Sequence, residues 1–274
     1  MAKRDEPNLS DAEEAWASGD AETALSILDG LFADDGSAPI EVLYLTGECL
    51  LDLQEPAEAA AMLDLALLQD KDNAVLLHAR AVAAFELADL DAAKVGFTRA
   101  VESEPELGEA HFYLGLLAER AGDRTAAAQL FAQGVALDPE DLQVPSDWDE
   151  AQIRTALTEA LDEVPDPFGA WLRAAPLQIV DLPADDELQG EAGPVSPLVH
   201  CLVVGERHAA TGDDVAEWLA PTPDAVRFFR LNLGKSASTE DELQQELLEA
   251  LLWESMEFLG LDDAKLAALG VITD

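Results

Sequence analysis

The feature that most restricts what this chain can fold into is an internal repetition. Laying Ala74–Leu107 over Gly108–Asp141 sets Ala81 on Gly115, Ala88 on Gly122, Ala93 on Ala127, Phe97 on Phe131, Val101 on Val135 and Pro105 on Pro139, a period of 34 residues. A unit of that length cannot bury its own apolar face, so copies must stack on neighbours. Small residues at Ala81, Gly115, Ala93 and Ala127 let paired helices approach closely, and Phe97 and Phe131 are large enough to fill the gap between successive pairs. Upstream, 40–73 is a weaker copy that keeps Gly47, Ala59, Leu63 and Ala66 but carries Gln54 where the later copies have Ala88 and Gly122, and Lys71 where they have Pro105 and Pro139. Trp16, Gly19, Ala24, Leu28 and Phe32 mark a first copy, joined to the second with about one extra residue near Pro39.

The pattern resembles the tetratricopeptide (TPR) family, with a small residue at the eighth and fifteenth positions, alanine at the twentieth, an aromatic at the twenty-fourth and proline at the thirty-second. The resemblance implies an all-α solenoid of about four helix-turn-helix repeats over residues 8–141. By analogy with the family, its concave surface is lined by the first helix of each repeat. That places Tyr44, His78, Phe85, Phe112, Leu116 and Arg120 as candidates to contact a protein or peptide. An aromatic stripe at helical spacing is more often core than a binding surface, so each carries a structural reading beside the functional one. The lysine and asparagine set with which the family clamps a C-terminal carboxylate is not visible.

Residues 142–146, LQVPS, break the repeat as a short linker, and a second domain is expected over 147–274. Ile153, Leu157 and Leu161 share one face of an amphipathic helix over 147–164, and Asp166-Pro167 opens a second helix through about Ala174. Strands are expected at 176–183, 198–204 and 225–233. Thr239 and Glu242 form a capping box for a last helix that Gly260 ends, with Leu243, Leu247 and Leu251 on its core side. Two helices, three strands and a final helix make a small α+β unit.

Within that last helix, Trp253–Gly260 reads WESMEFLG and is similar to the H-E-x-x-H-x-x-G-x-x-D helix of the small zincin-like metallopeptidase family. Glu254 stands at the family's catalytic glutamate, Gly260 at its glycine and Asp263 at its third ligand. Trp253 and Glu257 replace the two histidines. Pro167-Phe168, Asp181-Leu182-Pro183 and the stretch Asp224, Val226, Phe228, Phe229, Arg230 match further family landmarks in order, so the resemblance covers 147–274.

An H-E-x-x-H helix works because imidazoles one turn apart share one Zn²⁺ while the glutamate deprotonates its water. Indole offers only an N–H, and Glu257 with Asp263 gives an oxygen-only pair poorly matched to zinc. No metal and no other cofactor is expected. His200, beside Cys201, and His208, in a loop, have no ligand spacing. The alternative is a metal-dependent hydrolase using Glu254, Glu257, Asp263 and a ligand from elsewhere. A cleft reshaped by Trp253 that binds peptide without cutting it is a further reading.

Composition narrows the partners. Lys and Arg number 15 against 57 Asp and Glu, a formal charge of −42 that opposes contact with nucleic acid or anionic lipid. No apolar run approaches membrane-spanning length, and two cysteines in different expected domains suit a reducing cytoplasm. The combined expectation is a non-catalytic protein-interaction scaffold fused to a degenerate zincin-like domain.

Overall fold

The computed structural model describes residues 8–190, 193–212 and 214–271. The chain divides into two compact units: one runs to Gln143 and takes in Leu188–Ser196, and the other comprises Val144–Glu187 and the residues from Pro197 onward.

In the first unit eight helices pair as four hairpins: α1 (Leu9–Ala17) with α2 (Ala21–Asp29), α3 (Ile40–Asp52) with α4 (Pro56–Gln69), α5 (Ala74–Glu86) with α6 (Leu90–Ser103), and α7 (Gly108–Arg120) with α8 (Arg124–Leu137). Each short turn is built the same way. Gly19, Gln54, Ala88 and Gly122 all adopt positive φ, at 83°, 60°, 55° and 80°. The amide of the following residue reaches back five positions, as Asp20 to Ala15, Glu55 to Leu50, Asp89 to Ala84 and Asp123 to Ala118, closing a Schellman motif over carbonyls the helix leaves unsatisfied. That next residue then opens the second helix: Asp20, Asp89 and Asp123 each accept an amide from the first turn, and between α3 and α4 Pro56 starts the helix without a side-chain cap.

Packing follows the small-to-large rule read from the repeat. A Cβ on Gly47 would lie 2.7 Å from Leu63, and one on Gly115 would lie 2.7 Å from the Phe131 ring, so the eighth and twenty-fourth positions interlock inside a repeat. Phe97 is fully buried and stacks on Tyr113 of the next repeat with ring centroids 4.7 Å apart. α1 touches α3 and α3 touches α5, which sets the first helices of successive repeats side by side.

The second unit has α9 (Glu150–Asp162), α10 (Phe168–Ala174), β1 (Leu177–Val180), and, beyond the short pair β2 (Gln189–Gly190) and β3 (Gly193–Pro194) that belongs to the first unit, β4 (Cys201–Val204). There follow α11 (Val215–Trp218), β5 (Ala225–Phe229), α12 (Arg230–Ser236), α13 (Glu240–Leu259) and α14 (Asp263–Ala268). The sheet order is β1-β5-β4, with β5 parallel to β1 and antiparallel to β4. Its central strand is buried on both faces, and Phe228 and Val226 join Ile153, Leu157, Phe168, Leu172, Leu243, Leu247, Leu251 and Phe258 in one core. Expectation and structure part at 225–233: the strand ends at Phe229 and Arg230 starts a helix. The Arg230 guanidinium is held by the Asp181 and Asp147 carboxylates, at 2.6 and 3.0 Å, so it leaves the sheet instead of continuing the alternation. Leu188–Ser196, placed by sequence in the second domain, clusters with the first unit.

Among the described residues no helix is long and apolar enough to cross a membrane.

Candidate functional site

Of the solenoid candidates, Tyr44, His78, Phe112 and Arg120 are half-buried and Phe85 and Leu116 are buried. Phe85 is 1% and Leu116 3% exposed, so both side chains pack in the interior of the unit. Phe112 lies tilted on Phe131 of α8, centroids 4.9 Å apart, and Arg120 is partly buried in the last turn of α7. Tyr44 and His78 come together around Glu109: the His78 Nδ1 is 3.8 Å from its carboxylate, and the Tyr44 hydroxyl feels it as well.

Around these two stands a set the sequence reading did not name. Tyr113 packs on His78, Phe85 and Phe97, with centroids 5.7, 5.3 and 4.7 Å away. Burial pushes its hydroxyl pKa up, and so do Glu86, Glu109 and Glu48, all three of which are close enough to act on it. Burial raises Glu48 to about 7, helped by Glu109 and Asp52. Glu109 is raised by burial, then by Asp138 and Asp141; Glu86 is raised by burial and partly relieved by a hydrogen bond from Ser196. Burial alone lowers His78 to about 4, and its Nε2 is buried without a hydrogen-bond partner. A neutral imidazole and two phenols thus lie among crowded carboxylates. The signal was available at helical spacing: Glu48 follows Tyr44 by four residues, as Tyr113 follows Glu109.

In the second unit α13 begins at the Thr239/Glu242 capping box and ends at Gly260 in the left-handed conformation, φ 63°. Glycine is required there twice over. Beyond its dihedral, a Cβ would lie 2.8 Å from the His208 carbonyl, because 208–210 runs alongside the helix end with His208 and Ala210 donating to the Phe258 and Leu259 carbonyls at 2.7 and 3.0 Å. The face of α13 that corresponds to the zinc-binding face of the family carries different chemistry. Trp253 is 63% exposed. Glu254 accepts the Val203 amide at 3.4 Å, and burial raises its pKa against that hydrogen bond. Glu257 forms an ion pair with Arg207 at 3.0 Å. Asp263 is exposed in the first turn of α14, whose cap is Asp262. His208 is exposed, and His200 turns to Glu246, two turns ahead of Glu254, at 3.0 Å.

Comparison with known families matches both halves. A tetratricopeptide repeat model covers residues 10–74 and 78–141, and a zincin-like metallopeptidase model covers 173–271. The chain joins TPR repeats to a zincin-like domain.

Among solved structures, a crystal structure of MamA is 20% identical, covering 55% of this chain and 81% of that one with a TM-score of 0.41. A structure of YrrB, described as a TPR protein with an unusual peptide-binding site, is 17% identical, covering 47% of this chain and 66% of that one, also at 0.41. No curated protein matches the chain.

The zincin-like family implies zinc, and the donors on the signature helix do not fit it. An indole has no lone pair to give, Glu257 is committed to a guanidinium, and among the described residues no three His, Cys, Asp or Glu gather closely enough to hold a metal ion.

Proposed function

We propose that this protein is an interaction scaffold whose TPR solenoid binds a protein or peptide, and whose zincin-like domain no longer performs zinc-dependent hydrolysis. The observation that carries the second half is Trp253 and Glu257 at both imidazole positions, with Arg207 paired to Glu257. For the first half, the support is the side-by-side packing of α1, α3 and α5 and the cluster of Tyr44, His78 and Tyr113 with Glu48, Glu86 and Glu109. Carboxylates that crowd one another in a half-buried setting are relieved by a cation, so the favoured partner segment carries lysine or arginine beside an apolar residue that meets the aromatic rings. Phosphate backbones would meet repulsion from the same carboxylates and from a formal charge of −42. Both cysteines are free and buried, which supports a reducing, cytoplasmic setting.

Fluorescence anisotropy with labelled peptides of graded lysine content, using the full-length protein at about physiological salt, tests this reading. Glu48→Gln with Glu109→Gln should weaken binding at least about tenfold, the loss of two charge-assisted contacts. Glu13→Gln with Glu14→Gln, on the exposed face of α1, removes the same charge and should leave binding unchanged. Equal losses from the two pairs would mean that bulk acidity alone attracts the peptides.

The metal-dependent alternative needs a stoichiometric metal. Elemental analysis of protein prepared without chelator decides it, and about one zinc per chain would overturn the loss of the metal site.

A further inference from the structure

Three side chains in the second unit, outside the zinc-type face, form a continuous polar relay. His200 Nδ1 is 3.0 Å from Glu246 Oε2, and its Nε2 is 3.3 Å from Ser236 Oγ. They arrive from three elements: His200 immediately before β4, Ser236 at the last position of α12, and Glu246 on α13. The supporting contacts are backbone-anchored. Asn232, 1% exposed and one turn before Ser236, donates its amide to the Pro197 and Val199 carbonyls at 2.9 and 2.7 Å, tying the approach to His200 onto the helix that carries the hydroxyl. The Phe229 amide holds the His200 carbonyl at 2.9 Å. Trp148 Nε1 donates to the carbonyl of Ala237 at 3.0 Å, and the Thr239/Glu242 box sets where α13 begins.

Protonation follows from the geometry. The Glu246 carboxylate accepts a hydrogen bond from the imidazole Nδ1–H, which leaves the Nε2 lone pair facing the Ser236 hydroxyl. That hydroxyl has a second acceptor in the Leu233 carbonyl, also at 3.3 Å, and rotation about one bond turns its proton to Nε2. Burial is the largest influence on His200 and lowers its pKa; Glu246 opposes and Lys235 reinforces the lowering, so the ring is neutral near pH 7, as a base must be. The site is reachable, with 23% of the His200 and 31% of the Glu246 side chain exposed and Ser236 partly exposed.

We propose that Ser236, His200 and Glu246 act as nucleophile, general base and orienting carboxylate for acyl transfer from carboxylic esters, a metal-independent chemistry away from the zinc-type face of α13. The Ser236 Oγ forms a bond to the ester carbonyl carbon while His200 Nε2 takes the hydroxyl proton. The ester C–O bond then breaks and the departing alkoxide receives that proton. Water, deprotonated by the same nitrogen, bonds to the acyl carbon, the acyl–Oγ bond breaks and the Ser236 oxygen takes the proton back from His200, so the balance is ester plus water to acid plus alcohol. Glu246 is a positioning residue that fixes the imidazole tautomer.

The test treats the full-length protein with a fluorophosphonate, in which attack forms a Ser236 O–P bond, expels fluoride and passes the proton to His200, followed by intact mass and peptide mapping. One adduct per chain at Ser236 is expected, with p-nitrophenyl acetate hydrolysis blocked in proportion. His200→Gln should slow labelling by about 100-fold, the scale of a lost general base. Glu246→Gln should slow it less and change its pH profile, a readout that a purely structural contact would leave unmoved. Circular dichroism checks that each variant is folded, and Glu246→Gln serves if His200→Gln is not. No adduct at Ser236 under conditions that label a serine hydrolase, labelling spread over other serines, or equal rates in folded variants would overturn the proposal.

Discussion

Replacing Gln54 by glycine should stabilise the solenoid. Gln54 is exposed and holds φ at 60° in the turn between α3 and α4, where two of the other three hairpins use glycine. The left-handed region costs an L-residue about 1–2 kcal/mol. Glycine surrenders about 0.5–1 kcal/mol more backbone entropy on folding. The difference leaves about 0.5–1 kcal/mol in favour of Gln54→Gly, because an exposed side chain gives up little packing. The mirror substitution, Gly122→Gln, should cost about the same: Gly122 has φ 80° and open space where a Cβ would stand, so its penalty is conformational alone. Urea unfolding of the full-length protein, followed by far-ultraviolet circular dichroism, reads both. With a slope of about 1–3 kcal/mol/M, each midpoint moves by roughly 0.3 M in opposite directions. A lowered midpoint for Gln54→Gly would refute the account of the turn, since it would mean that the glutamine makes a contact worth more than the strain it carries.

Other substitutions probe the packing, the acidic cluster and the lost metal site. Gly115→Ala should destabilise by about 1–3 kcal/mol, because the new Cβ meets the Phe131 ring at 2.7 Å, and a double-mutant cycle with Phe131→Ala should show the two costs to be non-additive. Glu48 has a raised folded pKa, about 7 against an ordinary 4.5, so its burial is tolerated below pH 4.5 and costs stability as pH rises through 7. Glu48→Gln should therefore stabilise at pH 8, on the order of 2 kcal/mol, and change nothing at pH 4, measured by denaturant midpoints at each pH. Trp253→His with Glu257→His restores imidazoles one turn apart on α13 beside Glu254 and should bring about one zinc per folded chain in elemental analysis, whereas a folded double variant without zinc would count against the helix being a zinc helix by descent.

Much of this was legible in the chain because it is encoded locally. The capping box at Thr239 and Glu242, the core faces of α9 and α13 and the terminating Gly260 all depend on residues near one another along the chain, and each stands where the pattern put it. The need for positive φ at the fifteenth position was visible from Gly19 and Gly122, and the backbone of Gln54 and Ala88 obeys it because the Schellman hydrogen bonds and the next helix leave the turn no other path. What sequence distance hides is which faces meet. Phe85 and Leu116 are buried, and Glu48, Glu86 and the Glu109–Tyr113 pair converge from three successive repeats. Leu188–Ser196 packs with a unit far from it in the chain, and the strand expected through Leu233 stops at Phe229 because Arg230 finds Asp147 and Asp181. His200, Ser236 and Glu246 have no motif spacing at all. Helical and turn signals are read from neighbours along the backbone, whereas an ion pair, a buried ring or a hydrogen-bonded relay exists only once separate elements have docked.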